Sequence, residues 1–147
     1  MQRVTIHTDG ACIGNPGPGG WAALIHTGED ERVLTGFAPD TTNNRMELQA
    51  ALEGLRALDE RSEVDLHTDS QYLRNGMNDW LPRWKRNGWR TANKKPVKND
   101  DLWRALDEIG QFHTVRWHWV RGHAGHPENE RCDVLANDAI RRGLEGA

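Results

Sequence analysis

Polar and apolar positions alternate near the N-terminus. Val4, Ile6 and Thr8 interleave with Thr5, His7 and Asp9, the period of two that predicts a β-strand. Glycines and prolines from Gly14 to Gly20 force the chain to turn. Residues 21–25 are apolar enough to form the antiparallel partner. A third strand is expected over residues 31–37, after a hairpin turn at 27–30, and residues 39–42 end this meander. The period then changes. Leu48, Ala51, Leu52, Leu55 and Leu58 recur at helical spacing behind Thr42 or Asn43 as N-cap. Alternation returns with Val64, Leu66 and Thr68, in a strand that ends at Asp69 as the first ends at Asp9. A helix is predicted from Ser70 to about Trp80. Another follows Asn99 as its cap, with Leu102, Trp103, Leu106 and Ile109 facing inward. The last strand covers residues 114–120. Pro127 suits the first position of a final helix that buries Cys132, Leu135, Ala136 and Ala139. Strand, helix, strand is a connection that sets its two strands parallel, so the class is α/β.

The length of 147 residues fits one domain over 1–147, with a polar C-terminal tail at about 141–147. Mean hydropathy is -0.83, and no run approaches the roughly 20 apolar residues of a membrane span. The chain enters strand pattern directly, without a charged-then-apolar leader, and Cys12 and Cys132 have no zinc or CxxC spacing. A reduced cytoplasmic protein is therefore expected. No apolar surface stripe stands out, so a monomer is the default.

Net charge is -3, which taken whole does not point to nucleic acid. The distribution changes that. Residues 80–98 hold seven basic side chains and no acid, leaving 12 basic against 22 acidic in the remainder. Trp80, Trp84 and Trp89 lie among these charges. Basic residues interleaved with indoles suit phosphates and exposed sugar or base faces.

Four carboxylates carry the candidate chemistry. Asp9 closes a core-type strand, where a charge is costly unless it is paired or binds a metal. Glu47 lies four residues before Ala51, on the edge of the apolar helix face. Asp69 comes to the same end as Asp9 if their strands are neighbours, at the carboxyl ends where open α/β sheets bind ligands. Asp133 flanks the buried face of the last helix. Each has a plain structural reading taken alone: Asp9 bonding the turn after it, Glu47 favoured by the helix dipole, Asp69 as an N-cap. Four converging acids would repel without a cation. An all-oxygen site suits Mg²⁺ or Mn²⁺ rather than zinc. Two ions about 4 Å apart can activate a water and stabilise the leaving oxygen of a phosphodiester.

Several longer motifs carry a resemblance: Asp9-Gly-Ala-Cys12 with Asn15-Pro-Gly-Pro-Gly-Gly20, Thr42-Asn-Asn-Arg-Met-Glu-Leu48, Thr68-Asp-Ser-Gln-Tyr72, and Gly122-His-Ala-Gly-His-Pro-Glu-Asn-Glu-Arg-Cys-Asp133. Together they resemble bacterial ribonuclease H type 1, over essentially the whole chain. The resemblance implies a mixed five-stranded sheet of order 3-2-1-4-5 with helices on both faces. It implies cleavage of the RNA strand of an RNA/DNA hybrid, leaving 5′-phosphate and 3′-hydroxyl ends, with two Mg²⁺ in the active complex. Asp9, Glu47, Asp69 and Asp133 match the metal-binding carboxylates. His123 matches a mobile histidine that helps proton transfer or product departure. Cys12, Asn15, Asn43, Asn44 and Gln71 match positions that meet the hybrid in its minor groove, where 2′-hydroxyls identify RNA. Trp80 and the basic segment, including Lys85, Arg86, Lys94 and Lys95, match a protrusion that grips the DNA strand. Thr42 and Asn99 match a DNA phosphate pocket. Familiar members are basic overall, whereas this chain is acidic outside its protrusion. Alternative readings are another metal-dependent nuclease of the same fold and a non-catalytic hybrid-binding module.

Overall fold

The computed structural model describes residues 1–122 and 126–146. β1 (Gln2–Cys12), β2 (Gly17–Thr27) and β3 (Asp30–Thr41) form an antiparallel meander. α1 (Asn43–Arg56) crosses over to β4 (Ser62–Thr68), which pairs parallel with β1. α2 (Gln71–Asn75), α3 (Leu81–Arg86) and α4 (Asp100–Phe112) lead to β5 (Thr114–Trp119), parallel to β4, and α5 (Pro127–Glu145) follows. The sheet order is β3-β2-β1-β4-β5, the mixed arrangement that the resemblance implied.

The period-two pattern sends alternate side chains to opposite faces, and each face has its own cover. Val4, Ile6, Val64 and Leu66 pack with Leu48, Leu52, Leu55 of α1 and Trp103, Leu106 of α4. On the other face Ala22 and Leu24 pack with Cys132 and Ala136 of α5. Each fully buried leucine or isoleucine here contributes about 1.5–3 kcal/mol.

Several details differ from the sequence expectation: β2 begins at Gly17, inside the expected turn, and α5 runs on to Glu145 through the expected polar tail. β3 runs on through Pro39 to Thr41 instead of ending near residue 37. It is an edge strand, where a residue without an N–H is tolerated. The helix expected to stop near Trp80 continues to Arg86 through a π-helical turn at Gly76–Trp80. Pro82 stands in the first turn of α3, where a residue without an N–H is tolerated. The first part of the basic segment is therefore helical. Finally, Asn99 occupies the cap position of α4 with φ 60° and makes no side-chain cap bond. Its amide is engaged elsewhere, by Arg45 and Tyr72.

Candidate active site

Thr8 pairs with Thr68 in the parallel β1–β4 ladder, so Asp9 and Asp69 leave neighbouring strands at one level. Glu47 arrives from the first turns of α1. The Thr42 hydroxyl caps this helix by accepting from the Arg45 N–H at 3.2 Å. Gly10 allows the helix to come so close: a Cβ there would lie 2.5 Å from the Glu47 nitrogen and the Met46 carbonyl carbon. The Gly10 N–H donates to Asp9 Oδ1 at 2.9 Å and also to Glu47 Oε1.

One carboxylate oxygen from each of Asp9, Glu47 and Asp69 falls within 4.8 Å of the others. Asp9 is 4% exposed and Glu47 3%. Burial pushes the Asp9 carboxyl up to about 7, with the Asp69 and Asp133 charges adding to the rise. Burial, then the Asp9 charge, holds Glu47 well above the ordinary carboxylate range. Both shifts come first from burial and then from the crowding of like charges. A hard divalent cation fits this all-oxygen donor set and would offset the repulsion among the carboxylates. Asp133 stands apart from the trio. It lines the same cleft from α5, and its Oδ1 accepts from Asn137 Nδ2 at 3.2 Å.

The cleft encloses about 530 Å³, and Cys12, Asn43, Asn44 and Gln71 line its rim. The Cys12 thiol donates toward the Gly17 and Thr41 carbonyls, at 3.5 and 3.4 Å. Asn15 Oδ1 accepts from the Asn43 N–H at 2.9 Å, which ties the glycine-rich turn to the start of α1.

A second surface adjoins the cleft. Tyr72, Trp80, Trp84 and Trp103 form an aromatic run with successive ring centroids 5.7, 5.8 and 5.3 Å apart. Trp103 is fully buried and anchors the run, while Trp80 and Trp84 line a groove with Arg83 and Arg90. Arg86, Lys94 and Lys95 are exposed. Lys85 pairs with Asp107 at 3.3 Å. Lys95 and Asn99 line a further groove together with Asn44 and Tyr72. His123 lies outside the described residues.

A sequence model of the RNase H family matches residues 1–141. The chain belongs to the RNase H family. It is 65% identical over 136 residues to Ribonuclease H of Chelativorans sp., covering 92% of this chain and 84% of that one. To the Ribonuclease H of Brucella ovis it is 59% identical over 145 residues, covering 99% and 92%. Among solved structures, LC9-RNase H1, described as a type 1 RNase H with the type 2 active-site motif, is 34% identical with a TM-score of 0.87. That match covers 96% of this chain and 73% of the other.

Sequence reasoning overlooked Arg45 and Tyr72, although both sit inside the family motifs. Arg45 makes a two-pronged pair with Asp101, at 3.0 and 2.7 Å. The Tyr72 oxygen accepts from Asn99 and Trp103. These partners are distant in the chain, and no local period reports them.

Proposed function

We propose that the protein hydrolyses the RNA strand of RNA/DNA hybrids, leaving 5′-phosphate and 3′-hydroxyl ends. The observation that carries this reading is the cluster of buried Asp9 and Glu47 with half-buried Asp69, beside a groove of tryptophans and basic side chains. With Asp133 they are assigned as ligands of Mg²⁺, two ions in the working complex, with Mn²⁺ as a substitute. When bound, the ions supply Lewis-acid activation of a water and charge stabilisation of the leaving oxygen. The chain's own part is to hold geometry. The Gly10 N–H fixes two carboxylates at once. The exposed amides of Asn43, Asn44 and Gln71 reach toward 2′-hydroxyls, with Cys12 and Asn15 shaping the same wall. Thr42 and Asn99 take a phosphate of the DNA strand. Trp80 packs on sugar, and Lys85, Arg86, Lys94 and Lys95 neutralise phosphates. His123 is assigned to proton transfer or product departure. The proposal includes a cytoplasmic monomer with one ribonuclease H unit over 1–147 and a protrusion at about 80–98. No helix among the described residues is long and apolar enough to cross a membrane.

The test is turnover on end-labelled RNA/DNA hybrid, single strands, duplex RNA and duplex DNA, with and without Mg²⁺. Cleavage confined to the RNA of the hybrid, and only with the ion, is expected. Equal cutting of duplex DNA would indicate another nuclease of this fold. Tight hybrid binding without turnover would indicate a binding module.

A further inference from the structure

Tyr72 lies at the junction of two grooves and lines both. One is the carboxylate cleft. The other, about 490 Å³, is walled by apolar Trp84, Pro96 and Val97 and by polar Asn44, Lys95 and Asn99, and no acidic side chain lines it.

The hydrogen bonds at the Tyr72 oxygen can be counted. Trp103 Nε1 can only donate, and it does so at 3.2 Å. Asn99 has a donor and an acceptor end, and Arg45 decides which faces Tyr72. A guanidinium has no acceptor, so Arg45 Nη1 at 3.2 Å fixes Asn99 Oδ1 on its own side. Asn99 Nδ2 then donates to the Tyr72 oxygen at 3.1 Å. Arg45 is itself held by the two-pronged pair with Asp101, a geometry that a planar fork fixes well. Two donors fill both acceptor sites of the phenol oxygen. Its own O–H has no acceptor among the described residues.

We infer that the Tyr72 hydroxyl donates to a non-bridging phosphate oxygen of the bound hybrid, and that Asp101, Arg45 and Asn99 hold it as positioning residues. The inference rests on the proposed hybrid substrate. A phosphate is an acceptor without donors, which suits the amides, the lysines and the Tyr72 hydroxyl on the polar side of this groove, where no carboxylate competes. An anionic acceptor also strengthens the bond relative to a neutral one. A tyrosine serving only as core would need no unpaired donor at the mouth of two grooves.

Tyr72→Phe removes the proton and keeps the ring. On unmodified hybrid its KM should rise about tenfold, the size of one hydrogen bond to a charged group, with the effect in KM rather than kcat. The decisive readout uses hybrids in which one linkage at a time carries a neutral methylphosphonate. In the wild type one linkage should raise KM about tenfold when neutralised, and in Tyr72→Phe that same linkage should lose most of its effect, the non-additivity of a direct contact. A purely structural tyrosine would weaken binding equally at every linkage. Asp101→Asn leaves the Tyr72–Trp103 packing in place and should reduce the same coupling. It carries the comparison if Tyr72→Phe fails to fold. Full sensitivity retained at every linkage in the folded variants, with wild-type protein cutting the hybrid, would overturn this inference alone. Wild-type protein that cut no hybrid would overturn the proposed function and this inference with it.

Discussion

Asp9 is asked to be both buried and charged. Its carboxyl is pushed up to about 7 by burial and by the nearby acids. Asp9→Asn keeps the shape and removes the charge that would hold a cation. Cleavage should fall by several powers of ten, roughly 1.4 kcal/mol each, with fold and hybrid binding kept. A variant retaining more than about a tenth of wild-type rate at saturating Mg²⁺ would remove Asp9 from the metal site. Addition of Mg²⁺ should raise the melting temperature of the wild type and raise that of the variant less, since binding to the folded state alone stabilises it. Gly10 belongs to the same scale. Its lack of a Cβ lets α1 deliver Glu47 to Asp9.

At the scale of elements, two joints hold the helices in place. The π-helical turn at Gly76–Trp80 runs directly beneath the Trp103 indole, and a Cβ on Gly76 would collide with that ring. Gly76→Ala should therefore destabilise the protein by about 1–3 kcal/mol, the usual cost of overpacking, measured by urea denaturation. A neutral result would mean that α2 and α4 can separate freely. The second joint is His113, buried where α4 meets β5, whose Nδ1 accepts from the Ser62 N–H at 3.1 Å. Burial is the main cause that lowers its pKa below the ordinary 6.5. The unfolded chain takes up a proton that the folded ring refuses, so this contribution to stability is full above about pH 6.5 and is lost as pH falls through the lower folded value. In melts between pH 7 and 5, the loss of stability should be smaller in His113→Asn than in the wild type. Identical slopes would refute the assignment.

Across the whole molecule, charge is divided between a basic protrusion and an acidic body. Residues 80–98 carry seven basic side chains and no acid, while the rest has 12 basic against 22 acidic. Hybrid affinity should depend on the protrusion, and the chemical step should not. Replacing Lys85, Arg86, Lys94 and Lys95 together by alanine should raise KM steeply at physiological salt and leave kcat at saturation near normal. The slope of log K against log salt should flatten by about 0.9 for each duplex phosphate that is no longer neutralised. Lys85 should contribute least of the four, because it already pairs with Asp107. Titrations from about 20 to 300 mM salt, across which the screening length falls from well above to below 10 Å, measure both quantities. An unchanged KM and slope would place the grip elsewhere.

The chain's own pattern determined the five strands, the principal helices and the identity of the acids, while the order of the strands came from the resemblance and from the fold. Alternation at β1 and β4 and helical spacing in α1 and α5 are local, so each segment announces which face it buries. The motifs around Asp9, Glu47, Asp69 and Asp133 were legible for the same reason, being short and continuous. The tertiary structure decided how those segments meet. It drew Asp9, Glu47 and Asp69 within 4.8 Å and left Asp133 on the wall of the same cleft. It left Asn99 at the cap position of α4 and turned its side chain into a link between Arg45 and Tyr72. It carried the helix past Trp80 through a π-helical turn that packs Gly76 against Trp103, with Pro82 in the first turn of α3. Periodicity records how a residue sits relative to its own helix or strand. Arg45 and Asp101 are 56 residues apart, and only packing α1 against α4 brings them into contact.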